Sequence, residues 1–433
     1  MPLQVNSAPD DPDLLFLPWA VPLEEWPEDQ LVALPRGLSR HVVRFVHLSG
    51  RVYAVKETPE EIAWREYRML RQMETLRLPT VEAVAVVRGR ETAAGEPLQP
   101  ALVTAHLIFS LPYRALFSST LRPGTAQRLL DALAVLLVRL HIAGFSWGDC
   151  SLSNTLFRRD AGSFAAYLVD AETAEMHHTL SDGQRLHDLD LARTNIFGEL
   201  SDLAAGGILD ESVDPEEASA NVVRRYTQLR DELVRPLEVG PDERYVLDAH
   251  IERLNQLGFD VEELEVTAQG TGARVRVLPK VVDAGHHSRR LFRLTGLDAE
   301  ENQARRMLND LDSFRSAAGL PESQESVAAH RWVTEVFEPV MRAVPKDQRG
   351  KLEAPQLFHE VLEHRWFLSE AAGRDVGLNR AVQSYMRDVL AAKPVEAAVL
   401  GRRIGPPPVD TGELRLSFRD DGDDDNGGAE EGA

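Results

Sequence analysis

The chain has 433 residues, 43% of them hydrophobic, with a formal net charge of −21 and a pI near 5.1; this length predicts two domains, and the acidic balance argues against nonspecific binding to nucleic acid or to an anionic membrane. One cysteine, Cys150, excludes an intrachain disulfide framework. The longest apolar run, 129–145, is broken by Asp131 and Arg139 and reads as a core helix rather than a membrane span, and with no signal-peptide pattern the expected location is the cytoplasm.

Residues 1–30 are rich in Pro and acidic side chains and read as an irregular lead-in. Residues 31–107 form a predicted small β-rich lobe. Leu31–Arg40 fits a first strand and a turn, which by resemblance to protein kinases would cover a nucleotide, with the single Gly37 where they show three glycines. His41–His47 and Arg51–Lys56 alternate about Ser49-Gly50 and read as a hairpin. Lys56 ends its second strand in a chain with five Lys against 43 Arg, and a compact ammonium suits phosphate neutralisation as a point charge. The segment 59–73 is an amphipathic helix with Ile62, Met69, Leu70 and Met73 on one face. Glu66 falls on that face, where an unpaired carboxylate is costly, so a Lys56–Glu66 pair is expected. Residues 79–87 and 101–109 read as further strands; the second resembles the kinase strand that runs into the interlobe hinge, and that resemblance implies that Thr104, Ala105, His106 and Leu107 would face a nucleotide base through backbone groups.

Residues 108–238 form a predicted helical lobe. The helix 125–143 stops at Gly144. Trp147-Gly-Asp149-Cys-Ser-Leu-Ser-Asn154 follows, and sixteen residues later comes Leu168-Val-Asp170. This order resembles the catalytic loop and metal-binding strand of the protein-kinase-like fold, whose chemistry needs an acid near the attacking hydroxyl and oxygen ligands that hold Mg²⁺ against a triphosphate. The resemblance places Asp149 at the nucleophile, with Asn154 and Asp170 on metal. Glu172 either adds a metal ligand or faces solvent. Asp188 or Asp190 anchors the loop from below, Cys150 is a small buried loop residue, and 216–237 is another helix.

A boundary is expected near 238–242, where Gly240-Pro241 interrupts the pattern, followed by a C-terminal α+β domain over 243–395. It comprises a helix over 243–257 and a hairpin of 260–267 and 274–282 around Gly270 and Gly272. A helix begins at Asp298 with Glu301 as a capping-box signal, and others cover about 323–343, 354–372 and 377–392. His359 and His364 lie five apart, about 140° around a helix, and do not converge on a metal. Trp366 and Phe367 read as core. The basic stretch Arg274, Arg276, Lys280, His286, His287, Arg289, Arg290 and Arg293 is read as pairing with the protein's own carboxylates rather than an anionic ligand. Residues 396–433 are a Pro-containing linker and an acidic solvated tail.

Tyr-Ala-Val-Lys56 resembles the kinase Val-Ala-Ile-Lys, and Trp-Gly-Asp149-x4-Asn154 resembles the His-Gly-Asp-x4-Asn loop of bacterial small-molecule and lipopolysaccharide kinases. The chain is similar to an actinobacterial family whose N-terminal half is lipopolysaccharide-kinase-like and whose C-terminal half is a domain of unknown function. The resemblance implies an α+β fold, a two-lobed protein-kinase-like domain followed by a mainly helical domain with a β-hairpin. It also implies an ATP-dependent phosphotransferase using Mg²⁺ or Mn²⁺. Lys56 and Asp149 would be catalytic; Lys56, Glu66 and residues 104–107 would bind nucleotide; Asn154, Asp170 and Glu172 would hold metal. The acceptor hydroxyl, on a small molecule, a sugar or lipid, or a protein, stays open, and a protein partner would dock on the C-terminal domain. Trp147-Gly148 replaces the protein-kinase His-Arg, Asp170-Ala-Glu172 replaces Asp-Phe-Gly, and no Ala-Pro-Glu follows. Two alternatives use the same residues: a nucleotide-binding scaffold without turnover, and nucleotidyl transfer.

Overall fold

The computed structural model describes residues 3–7, 12–32, 41–117, 124–234, 237–239, 244–256, 259–269 and 274–395. In the N-terminal lobe, β1 (Gln4–Ser7), β2 (Val43–Leu48), β3 (Arg51–Glu57), β4 (Ala83–Arg88) and β5 (Ala101–Ala105) build one antiparallel sheet in the order β1-β4-β5-β3-β2. Ser49 and Gly50, at φ 48° and 83°, close β2 onto β3 in the left-handed conformation that tight hairpins require. The helix α1 (Glu60–Thr75) lies on this sheet, with Ala63 packed against Val86 and Leu102.

The lead-in is not irregular over its described part. Besides β1, three 3₁₀ turns at Pro12–Phe16, Leu23–Glu25 and Glu28–Gln30 and the residues between them bury Leu14, Leu17, Trp19, Leu23 and Trp26 in a core shared with Val46, Tyr53, Val55 and Val103. Arg90 fastens this segment. Its guanidinium donates to the carbonyls of Trp19, Val21 and Gln99 at 3.1, 2.8 and 2.8 Å and to Glu57 at 2.7 Å, so each nitrogen of the buried charge has a partner. Pro and acidic residues set short turns whose few large apolar side chains carry no period, which hides the packing from pattern reading. Leu31 bridges Val46 and the Val32 N–H donates to the Phe45 carbonyl at 2.8 Å; residues 33–40 of the expected nucleotide-covering turn, Gly37 included, lie outside the described residues, as do Gly270, Gly272 and the acidic tail.

The second lobe holds β6 (Leu111–Pro112), α2 (Tyr113–Phe117), α3 (Thr125–Ile142), β7 (Phe145–Ser146), β8 (Thr155–Asp160), β9 (Ser163–Leu168), β10 (Glu175–Met176), α4 (Asp182–Ala205) and α5 (Pro215–Val234). Small sheets β6-β8-β9 and β7-β10 flank a core in which Leu133, Leu137 and Leu140 of α3 meet Ile196, Leu200 and Val222. Gly144 ends α3 at φ 81°, where a Cβ would sit 2.1 Å from the His177 carbonyl oxygen. Ser181 and Gln184 form the capping box that starts α4.

Next come β11 (Leu237–Val239), α6 (Arg244–Gln256), β12 (Phe259–Gln269) and β13 (Arg274–Ala284), in sheet order β11-β13-β12. Leu254 and Phe259 join the core of the second lobe although they follow Gly240-Pro241 in the sequence. The helices α7 (His286–Thr295), α8 (Glu301–Ala317), α9 (Glu325–Trp332), α10 (Glu338–Arg342), α11 (Ala354–Ala372) and α12 (Leu378–Ser384) bury a separate core around Trp332, Phe337 and Phe358. Two local expectations change here. The capping box of α8 is Glu300 with Gln303, while Glu301 accepts the His287 and Ser288 N–H groups at the start of α7. Trp366 and Phe367 are exposed, 56% and 55%, and pack edge-on against each other rather than in the core. His364 bonds Ser384, whereas His359 is buried. Arg290 pairs with Glu325; the side chains of Arg274, Arg276 and Lys280 fall outside those described.

The helical domain holds the β8–β9 hairpin along its length, from Tyr167 near the open end to Asp160 at the tip. Arg158 pairs with Glu300 at 3.1 Å and with Glu353, and Tyr167 donates to Glu300 at 2.6 Å. The chain is thus α+β, a two-lobed kinase-like unit followed by a mainly helical one, and no helix among the described residues is long and apolar enough to cross a membrane.

Candidate active site

A cleft of about 860 Å³ collects residues from both lobes, among them Lys56, Glu66, Thr104, Ala105, His106, Asp149, Asn154, Asp170 and Glu172. Lys56, at the end of β3, reaches Glu66 of α1 at 3.0 Å, Asp170 at 2.8 Å and Glu172 at 3.0 Å. Glu172 also meets His41 Nε2 at 3.1 Å, and its N–H donates to Asp170 Oδ1 at 3.0 Å. Burial pulls the Lys56 ammonium toward neutrality, but Glu66, Asp170 and Glu172 outweigh it and hold it charged, above its ordinary pKa. Burial, together with the Asp170 carboxylate, pushes Glu66 up to about 8 against the opposing pull of Lys56.

Three carboxylates around one ammonium leave an excess of negative charge. Oxygens of Glu66, Asp170 and Glu172 lie within 4.8 Å of one another, an oxygen-only set that suits a hard divalent cation. Asn154 adds an amide. Its Nδ2 donates to the Asp149 carbonyl and to Asp149 Oδ2, both at 3.1 Å, which leaves its Oδ1 as the free donor atom for a cation. The residues therefore fit Mg²⁺ or Mn²⁺.

The loop carrying Asp149 is held by one face of α4. Asp188, Asn195 and Glu199 are spaced by seven and four residues, within about 20° of a single line along the helix. Asp188 accepts the Trp147 and Gly148 N–H groups at 2.7 and 2.8 Å and His141 at 3.0 Å. Asn195 donates to Asp149 Oδ1 and to the Cys150 carbonyl, both at 3.1 Å. Glu199 accepts the Leu152 and Ser153 N–H groups at 2.7 and 2.9 Å. Asp188, not the exposed Asp190, is therefore the anchor. Trp147 is buried, and its indole donates to the Asp170 carbonyl at 3.0 Å, tying the loop to the acidic strand end where protein kinases place His-Arg. Gly148 sits at φ 75° with Thr173 packed over it. Burial, with Asp188, Glu199 and Asp149 nearby, raises the Cys150 thiol well above its usual range, so the sulfur is an unreactive packing atom.

Thr104, Ala105 and His106 line the cleft, but Leu107 is not among its lining residues. The N–H groups of Ala105 and His106 are taken by the carbonyls of Glu82 and Val52 at 2.9 and 2.8 Å, so neither is free to donate to a base, and Ser110 occupies the Leu107 carbonyl. Burial lowers His106 to about 4, which keeps it neutral. Asn195, Glu199 and His41 escape the sequence reading. The 188/195/199 spacing was the available signal, but polar residues on a helix read as solvated unless the loop they face is known.

Residues 42–201 match the model of the lipopolysaccharide kinase (Kdo/WaaP) family, and residues 228–390 match that of a domain of unknown function, DUF4032. Among solved structures, one titled "WaaP in complex with acyl carrier protein" is 20% identical, covering 59% of this chain and 99% of that chain with a TM-score of 0.35. No curated protein matches the chain. The chain therefore joins a domain of the lipopolysaccharide kinase (Kdo/WaaP) family to a C-terminal DUF4032 domain.

Proposed function

We propose that the protein is an ATP-dependent phosphotransferase that moves the γ-phosphoryl group to an alcohol, carried by a small molecule, a sugar or lipid, or a protein. The observation that carries this proposal is Lys56 bridging Glu66 and Asp170 in the same cleft as the Asp149–Asn154 loop. The acceptor oxygen forms the new P–O bond as the bond to the β-phosphate oxygen breaks and ADP leaves; Asp149 orients the hydroxyl and takes its proton. Lys56 neutralises charge on the phosphates, and Glu66 keeps it aimed into the cleft. Asn154, Asp170 and Glu172 would hold a divalent cation, which supplies charge neutralisation along the triphosphate.

Purified protein with Mg²⁺ and ATP labelled at either the γ or the α position tests the assignment. Transfer or release of the γ label is expected. Transfer of the α label would make the protein a nucleotidyl transferase, and nucleotide binding with neither would make it a scaffold.

A further inference from the structure

We propose that Asn195 is a positioning residue for Asp149, deepening the phosphotransferase assignment on which it rests. The two hydrogens of its side-chain NH₂ meet two acceptors, Asp149 Oδ1 and the Cys150 carbonyl, both at 3.1 Å. Both donors are used, and the amide orientation is fixed, since a flipped side chain would set its carbonyl against two oxygens. The other Asp149 oxygen accepts from Asn154 at 3.1 Å. The carboxylate is thus held at both oxygens by neutral amides, one from its own loop and one from α4. Asp188 and Glu199 grip the same loop through its backbone N–H groups; Asn195 differs in holding the side chain of the acid itself. An amide donor aims the carboxylate without neutralising it, whereas Lys or Arg at this point would form an ion pair and withhold the base from the acceptor proton. Asn195 also lines the cleft, beside Thr194 and Gly198.

Full-length Asn195→Ala and Asn195→Asp provide the test, read as ATP turnover. Both should lower kcat by about 10–100-fold, the size of effect expected when a reacting group loses its orientation. KM for ATP should stay within about threefold, because Lys56 and Asp170 are untouched. Asn195→Asp fills the same space but cannot donate, so it should do no better than alanine. Wild-type kcat in Asn195→Asp overturns the proposal, as do parallel losses in KM and unfolding midpoint that mark a merely structural role. A second arm needs no turnover: unfolding midpoints of the wild type, Asp149→Ala, Asn195→Ala and the double variant. The Asn195→Ala shift should shrink in the Asp149→Ala background, and full additivity overturns the proposal. If the wild type turns over no ATP while the midpoints are non-additive, the phosphotransferase assignment fails and the positioning bond is supported.

Discussion

Asp160 accepts the backbone N–H of Gln303 at 2.8 Å, so a carboxylate at the tip of the β8–β9 hairpin caps the first turn of α8 in the other domain. The Asn302 N–H and side-chain amide converge on its second oxygen at 3.2 and 2.8 Å. The hairpin's open end carries Asn154 before β8 and Asp170 after β9, and Thr155 pairs with Leu168 there. The helical domain therefore holds the far end of the strand pair that presents two of the candidate metal residues.

Asp160→Ala leaves these donors at a buried helix start, and chemical denaturation should show a loss of about 2–3 kcal/mol. A chain cut after Asp242 should lose more, since it also removes Leu254 and Phe259 from the second-lobe core. A fragment as stable as the whole chain would show that neither contact matters to the kinase-like lobes.

Lys56→Met should lower turnover by roughly 10²–10³, the effect of removing one preorganised charge-stabilising group. It also leaves Glu66, already pushed up to about 8, buried beside Asp170 with no cation. The melting temperature should therefore fall, and Glu66→Gln added to Lys56→Met should recover stability but not activity. A double variant no more stable than Lys56→Met alone would mean that the three carboxylates do not strain one another.

His106 offers a pH test. Its folded pKa, lowered by burial to about 4, lies below the unfolded value near 6.5. A depressed pKa means that the unfolded chain binds the proton more readily, so stability is fully present above pH 6.5 and is lost as pH falls toward 4. The loss should amount to at most about 3 kcal/mol. His106→Gln should flatten that part of the stability–pH profile, and an unchanged slope would show that the ring is not buried neutral.

Local chemistry was the legible part of this chain. Lys56, Glu66, Asp149, Asn154 and Asp170 could be placed because strand alternation, helical period and loop spacing each constrain one element at a time. Long-range pairing was not legible. The Trp19–Arg90 contact spans 71 residues and the Asp160–Gln303 cap 143, and no periodicity encodes either. Polar side chains gave the weakest signal: Asn195 and an exposed asparagine look alike until the loop folds back onto α4, and Trp366 and Phe367 look like core until the helix is seen to turn them outward.

Asp149→Asn separates catalysis from binding. The replacement keeps the shape but loses the negative charge and the proton acceptor, so turnover should fall by roughly 10²–10⁴. A loose transition state needs little proton removal and favours the lower end of that range. The amide also carries an NH₂ that must face one of two donors, because Asn154 and Asn195 each point an amide hydrogen at Asp149. Facing Asn195, it weakens only the contact to α4; facing Asn154, it pushes on a candidate metal residue. ATP affinity with Mg²⁺ should therefore drop only a few-fold, since Lys56 and Asp170 are unaffected. Titration calorimetry and γ-label transfer on the same two proteins resolve the two effects. Undiminished turnover in Asp149→Asn would remove Asp149 from the chemistry, and equal losses of binding and turnover would make it a structural support of the metal site rather than a base.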